Sequence, residues 1–281
     1  MNPLEPFFAA YLAMSRAFGD MSRAAAKARR QNGGFPDPVV SEAGNIRSLY
    51  LETDTVQSSM DLERPERLVL PYSHAMMGWL MFVDSFASVT HVGVGGASLI
   101  RFIRANFPQA KQLAIEFNPK VAAVAQQMFQ LPEPDERFEL VLGDGAQIVR
   151  GMKDQTDVLL IDAFDGFDVA QGLTDDAFFE SCRDALTDQG VFCANWWIGD
   201  PRMEDGAARV KAVFGGRSIR IDASRHGNMA VMAFKPGFDP EAFRLSNIKA
   251  RAERLKARGV DLDFAWLLRS LVDRNAKSLE A

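Results

Sequence analysis

Two cysteines and three histidines are all that 281 residues hold of the commonest transition-metal ligands. Cys182 and Cys193 do not form a CxxC pair, which excludes a zinc ribbon, a dithiol redox motif and a disulfide framework, and fits a reducing cytosol. His74, His91 and His226 lie too far apart in sequence for any metal-ligand spacing to be read, so no metal is expected. No apolar run approaches the roughly 18 residues that a membrane span requires. Basic charge is not in excess either: 32 Lys and Arg against 37 Asp and Glu leave a net charge of −5. Nucleic-acid backbones call for clustered Lys and Arg, so neither a nucleic acid nor a membrane is the expected partner. An acidic protein is a better host for a small cationic substrate.

What is present is a hydrophobic fraction of 47% with 25% charged residues, the balance of a soluble globular enzyme. Phe7, Phe8, Tyr11, Leu12, Met14, Phe18 and Met21 recur at helical spacing, with Arg23, Lys27, Arg29 and Arg30 after them. A secretory signal has the opposite order, so this reads as a docking helix, on this chain or on a second copy, with a partner or a membrane surface as the other reading. Gln31 to Pro38 is a breaker cluster that ends it. Residues 46–60 alternate enough to predict two short strands around Thr53-Asp54. Pro71 opens a helical pattern through Met76, Met77, Trp79, Leu80 and Phe82, and proline suits a first helical position.

A strand–helix rhythm follows. Strands are expected near 88–93, 112–116, 138–142, 157–161, 190–195, 217–222 and 229–234, the last two forming a hairpin. That alternation predicts an α/β fold with a parallel, doubly wound Rossmann-type sheet closed by an antiparallel hairpin. Residues 239–273 look helical again. The expected division is 1–70 for an N-terminal helix and small β region, 71–236 for a nucleoside-binding catalytic domain, and 237–281 for C-terminal helices packed upon it.

Open α/β sheets bind ligands beyond the C-terminal ends of their strands, so the residues just after each strand are informative. After the first comes Gly93-Val94-Gly95-Gly96; after the second, Glu116; after the third, Asp144-Gly145-Ala146; after the fourth, Asp162. A dinucleotide fingerprint GxGxxG would place its third glycine at position 98, which is Ser98. Glu116 lies 23 residues after Gly93, suited to a carboxylate that accepts both ribose hydroxyls. Asp144, followed by two small residues, would let an adenine lie on the backbone while a carboxylate takes its exocyclic amine. Four such positions, one per βα unit, point to an adenosyl-sulfonium site. The structural alternative is that the glycines only permit a tight turn and that Glu116 and Asp144 cap helices.

At these residues the chain resembles the polyamine aminopropyltransferases, the spermidine synthase family, and within it the bacterial spermidine synthase-like branch. GVGGASL, IEFNP, GDGA and IDAFDG stand in family order and spacing between about residues 46 and 235. The resemblance implies a methyltransferase-type Rossmann fold behind a small β region. It implies transfer of an aminopropyl group from decarboxylated S-adenosylmethionine to an amine, without a metal, in a homodimer. It assigns Gln57 to the nucleoside, Glu116 to the ribose, and Asp144, Gly145 and Ala146 to the adenine. Asp162 becomes the catalytic aspartate and Asp165 the second aspartate, which holds the amine.

Those roles fit the chemistry. An amine lone pair displaces a neutral thioether at carbon, so no oxyanion needs stabilising. The nucleophile is the difficulty: a primary alkylamine has a pKa of about 10.4 and is almost wholly protonated at neutral pH. A buried carboxylate can bind the ammonium, accept its proton and aim the lone pair. Asp162 has the position for that. Asp168, Asp175, Asp176 and Glu180 add charge nearby, although Asp175, Asp176 and Glu180 also suit the first turns of a helix beginning near Thr174. Trp196 and Trp197 close the fifth strand; they either wall an alkyl-ammonium channel through cation–π contact or pack against the N-terminal helix.

Three departures from the family pattern concern the substrate side. The turn Val94-Gly95-Gly96-Ala97 carries no acid where the family has one. Tyr72-Ser73-His74-Ala75-Met76 stands where the family has a Tyr-His-Glu-Met type motif, making Tyr72 and His74 substrate-site candidates with the acid replaced by Ala75. Gly166 replaces a proline after Asp165. Two other readings therefore stand beside aminopropyl transfer: a methyltransferase using ordinary S-adenosylmethionine, and a nucleoside-binding assembly protein without turnover.

Overall fold

The fold is carried by two sheets, seen in a computed structural model that describes residues 34–52, 54–163, 173–198, 200, 203–223, 227–276 and 278–279. The expected N-terminal docking helix, and Asp165, Gly166 and Asp168, lie outside the described residues. The smaller sheet has three antiparallel strands in the order β1-β2-β3: β1 (Pro38–Ala43), β2 (Ile46–Leu51) and β3 (Val56–Asp61). β2 and β3 are the two strands expected from the alternation at 46–60. β1 was not expected, because Pro38 belongs to the breaker cluster. Proline is tolerated at the first residue of an edge strand, and Gly44-Asn45, with Gly44 at φ +61°, makes the tight turn that returns β1 onto β2.

The larger sheet has seven strands in the order β6-β5-β4-β7-β8-β10-β9. These are β4 (Ser88–Val92), β5 (Lys111–Glu116), β6 (Phe138–Leu142), β7 (Thr156–Ile161), β8 (Leu186–Trp197), β9 (Ser218–Asp222) and β10 (Asn228–Phe234). All are parallel except β10, which runs antiparallel to both β8 and β9. Every expected strand is present. Among the described residues, six helices precede or connect these strands: α1 (Pro71–Met76), α2 (Ser98–Asn106), α3 (Pro119–Met128), α4 (Gly145–Arg150), α5 (Asp176–Ala185) and α6 (Met203–Val213). The helical pattern that Pro71 opens divides in two, since α1 tightens into a 3-10 segment over Met77–Met81. The C-terminal stretch likewise divides into α7 (Leu245–Ala257) and α8 (Phe264–Asn275), separated at Gly259, whose φ of +84° no helix can hold.

The central strands are apolar along their whole length because helices cover both faces. Side chains alternate between the faces with period two. On one face Leu160, Cys193, Ala230 and Met232 join Trp79, Phe82, Phe243 and Leu267 beneath α1, α7 and α8. On the other, Leu159, Ile161, Phe192, Ala194 and Val231 join Phe178, Phe179 and Val210 from α5 and α6. The chain leaves β4 toward β6, then returns to β7 on β4's other side. The strand order therefore reverses between β4 and β7, the position at which open α/β sheets bind ligands.

Candidate active site

The residues after β4 and β7 meet at that reversal. Gly93 has φ +94°, and a Cβ there would collide with the carbonyl oxygen of Asp162. Glycine is what lets the two strand ends lie this close. Gly95 continues the turn at φ +52°, and Ala97 ends it in the left-handed region at φ 58° before α2 begins. A Cβ at Gly96 would lie 2.7 Å from the Ser58 hydroxyl of β3, so the turn is pressed against the smaller sheet. Ser98 occupies the third-glycine position of a dinucleotide fingerprint. Its hydroxyl meets Ser58 Oγ at 3.0 Å and donates to the Ser59 carbonyl at 3.1 Å.

Glu116 ends β5 and is buried. Its Oε2 accepts from the Val94 N–H and its Oε1 from the Asn118 N–H, each at 2.9 Å. Burial raises its pKa, while the backbone N–H groups of Asn118, Val94, Gly95 and Phe117 oppose the rise. Glu116 therefore ties two strand-end turns together and does not cap α3; Asn118 is that cap, accepting from Lys120 N at 3.0 Å. Asp144 does cap a helix. Its Oδ1 accepts from Ala146 N at 2.8 Å and from Gln147 N at 3.4 Å, and Gly145 and Ala146 form the first turn of α4.

Asp162 follows β7 and continues its alternation, so it belongs to the face that holds Leu160. Asn195 of β8 and Asn228 of β10 share that face with Cys193 and Ala230, and Tyr72 comes down onto it from α1. Asn195 Nδ2 donates to Asp162 Oδ1 at 2.9 Å. Asn228 Nδ2 donates to Asn195 Oδ1 at 3.0 Å. The Tyr72 hydroxyl stands within hydrogen-bond reach of both the Asp162 carboxyl, whose pKa it lowers, and the Gln57 carbonyl at 3.0 Å, so its single proton goes to one of them at a time. Burial pushes the Asp162 carboxyl up from 3.8 to about 6, against the opposing hydrogen bonds of Asn195 and Tyr72. An acid with that pKa can both take up and release a proton near neutrality.

Gln57 reaches the site through its backbone, while its Nε2 donates to the Thr55 carbonyl at 3.3 Å. His74 does not join Asp162. Residues 72 and 74 are about 200° apart around a helix, so the turn of α1 that presents Tyr72 carries His74 away. Its Nε2 meets the Leu68 carbonyl at 2.9 Å. Its pKa is lowered by burial, with Asp261 and Asp263 opposing. Trp196 is corrected in the same way. It points to the opposite face from Asn195 and packs beside Phe179 and against Gly206 of α6, 2% exposed. Trp197, on the face of Asn195, is 45% exposed and pairs in register with Asn228. Asp175 is the N-cap of α5, accepting from Phe178 N at 2.7 Å, which favours the helix-cap reading of that acidic stretch.

Asn195 and Asn228 join this hydrogen-bonded cluster without being among the residues expected from the sequence. The signal for Asn195 lies in Asn195-Trp196-Trp197: a polar residue in an apolar strand, one step from Trp196. Asn228 carries no local signal, and only the return of β10 beside β8 brings it in.

Among the described residues, no three His, Cys, Asp or Glu side chains are grouped so as to hold a metal ion, and no helix is long and apolar enough to cross a membrane. Comparison with known proteins agrees with the architecture. Residues 89–215 match the spermine/spermidine synthase domain. The chain is 43% identical to a polyamine aminopropyltransferase of Neisseria meningitidis serogroup A over 248 residues, 88% of this chain and 93% of that one. It is also 43% identical to the polyamine aminopropyltransferase of Chromobacterium violaceum, over 87% of this chain and 92% of the other. A crystal structure of a probable spermidine synthase from Corynebacterium glutamicum superposes with a TM-score of 0.66 at 18% identity, over 83% of this chain and 89% of that one. At that identity the superposition bears on the fold, which is the Rossmann-like one expected.

Proposed function

The chain belongs to the polyamine aminopropyltransferase family, and from that membership we propose that Asp162 is the proton acceptor for transfer of an aminopropyl group from decarboxylated S-adenosylmethionine to a small polyamine-type amine. The observation that carries this assignment is the buried Asp162 carboxyl, held up at about 6 while two neighbours hydrogen-bond it. Perturbed carboxylates at a strand reversal mark functional sites. A carboxylate kept buried at such cost also argues against a protein that only binds nucleoside.

The acceptor amine arrives as an ammonium. The ionised Asp162 accepts one N–H proton and leaves the lone pair free. The lone pair forms an N–C bond as the C–S bond of the sulfonium breaks, and the sulfur departs as neutral methylthioadenosine. The Tyr72 hydroxyl, between Asp162 and the Gln57 carbonyl, and the Asn195 amide fix the carboxylate's direction. Positioning of this kind is a large part of what a displacement at carbon requires.

The donor's nucleoside is assigned to the strand ends. Glu116 takes the ribose hydroxyls, keeping part of its bonding to the turn. The free Oδ2 of Asp144, whose Oδ1 caps α4, meets the adenine amine beside Gly145 and Ala146. Gly95, where a Cβ would meet nothing nearer than Ser58 Cβ at 3.8 Å, lets the backbone approach the nucleoside, while Gly93 and Gly96 shape the turn that carries it. Asp165 retains its assignment to the distal ammonium, and Trp197 offers an aromatic face at the mouth. A homodimer in the cytoplasm, acting without a metal, completes the reading.

The absent acid in the Val94–Ala97 turn leaves ordinary S-adenosylmethionine as the second donor to test. The experiment is mass spectrometry of products after incubation with each donor and a pool of diamines and polyamines. Methylthioadenosine with an aminopropylated amine is the expected result. Adenosylhomocysteine with a methylated product would overturn it.

A further inference from the structure

We propose that Asn228 is a positioning residue for the transfer reaction, acting through the Asn195 carboxamide to fix the direction in which Asp162 is hydrogen-bonded. The inference rests on the assignment of Asp162 as proton acceptor.

The argument follows the donors and acceptors. An ionised carboxylate only accepts hydrogen bonds, so Asn195 must turn its Nδ2 toward Asp162, as it does at 2.9 Å. That leaves Asn195 Oδ1 facing away and in need of a donor. Asn228 Nδ2 supplies it at 3.0 Å. A carboxamide is nearly symmetric in shape, and nothing steric prevents Asn195 from rotating by half a turn. What prevents it is the donor on Asn228: rotation would set two NH2 groups against each other and a carbonyl oxygen against the carboxylate.

The relay therefore has one sense, from β10 through β8 to the end of β7. The three residues come from adjacent strands, and Asn228 is placed by its pairing with Trp197 and by the Ala223 N–H that its carbonyl accepts at 2.8 Å. Its side chain is only partly buried, and no packing demand calls for an asparagine there. The titratable groups that face Asp162 among the described residues are Tyr72 from α1, which hydrogen-bonds it, and Cys193 from β8, whose thiol is pushed up by burial and by the Asp162 charge. Neither can take over the role of Asn195. Cys193 Sγ is directed at the Met76 carbonyl at 3.4 Å, and Tyr72 also serves the Gln57 carbonyl.

The test is the pH dependence of kcat/KM for the amine in Asn228→Asp, Asn228→Leu and Asn228→Ser, beside Asp162→Asn. The Asp variant is isosteric but replaces the donor with an acceptor, which turns the Asn195 carbonyl toward Asp162 and favours its protonated form. Its acid limb is expected to move up by about one pH unit, a roughly tenfold loss of kcat/KM on the acid side. The loss should fall on kcat, with binding of methylthioadenosine unchanged. Asn228→Leu, which has no donor, should move the limb in the same direction by less, and Asn228→Ser, which keeps one, should stay close to the parent. If a folded Asp or Leu variant keeps the parent's limb, the inference is overturned. Should Asn228→Asp not fold, the contrast between Leu and Ser decides by the same criterion. The two assignments fail separately: an active Asp162→Asn would remove the proton acceptor itself, whereas an inactive Asp162→Asn beside unmoved Asn228 variants removes only the relay.

Discussion

Replacing Asp162 by Asn should abolish turnover and, at the same time, make the protein more stable above pH 6. The two effects have one origin. Burial raises the folded-state pKa of Asp162 from 3.8 to about 6, so the folded protein prefers the protonated acid. A raised carboxyl pKa favours the fold fully below the unfolded value, near 3.8, and that contribution is lost as the pH rises through about 6. Above pH 6 the fold carries an ionised group it would rather have neutral. The shift, at 1.36 kcal/mol per unit, amounts to about 3 kcal/mol. Asparagine has the same shape and no charge. Its Oδ1 can accept from Asn195 Nδ2, and its NH2 can donate to the Tyr72 hydroxyl oxygen, so no polar atom is stranded. About 3 kcal/mol is a ceiling, because a buried carboxamide also loses hydration.

For a chain of this size each kcal/mol moves Tm by roughly 2 °C, giving a gain of up to roughly 6 °C at pH 8. The gain should shrink between pH 6 and pH 4 and vanish below that. Calorimetry of both proteins at pH 4, 6 and 8 measures it, alongside the rate of methylthioadenosine release, which should fall by roughly a hundredfold or more. A Tm difference that stays the same at pH 4 and pH 8, or a variant less stable at pH 8, would refute the account of Asp162 as a buried, disfavoured charge.

Other substitutions separate binding from folding. Glu116→Ala should weaken methylthioadenosine binding by about 3 kcal/mol, roughly a hundredfold in Kd by titration calorimetry, since the ribose hydroxyls lose their charged acceptor; unchanged affinity would clear Glu116 of any part in the nucleoside site. Gly93→Ala should cost about 2–4 kcal/mol in denaturant unfolding, from a positive φ and a clash with the Asp162 carbonyl. A neutral result there would mean the β4 and β7 ends are not in contact. The two tryptophans should behave oppositely: Trp196→Ala should lose about 3–5 kcal/mol of stability with KM unmoved in the surviving fold. Trp197→Ala should leave Tm nearly unchanged and raise KM for the amine by roughly two- to fivefold.

The sheet was legible in the sequence because its strands are short apolar runs separated by amphipathic helices, and each boundary carries Gly, Pro or an acid. Glu116, Asp144 and Asp162 draw attention for a related reason: a charged residue at the end of an apolar run stands out. The misreadings have local causes. Tyr72 and His74 are substrate candidates through the resemblance to a family motif, yet the inserted Ser73 leaves the helix to send them about 200° apart. Trp196 and Trp197 are neighbours in sequence, and strand alternation divides them between a core and a surface. β1 was hidden by Pro38, and the break between α7 and α8 by apolar residues continuing past Gly259. Asn228 could not have been found from its neighbours in sequence, since its partner is 33 residues away and their meeting depends on the antiparallel return of β10.

The contact between β3 and the glycine turn has a consequence for inheritance. Ser58, Gly96 and Ser98 meet at one point: Ser58 leaves no room for a side chain at 96, and its hydroxyl is paired with that of Ser98. A larger residue at any of the three must be answered at the others. The smaller and larger sheets are thus not exchangeable parts. A chimera that grafts another relative's β1–β3 onto this chain's β4–β10 should fail at this contact unless all three positions travel together, and in the history of such proteins these positions should have changed as a set.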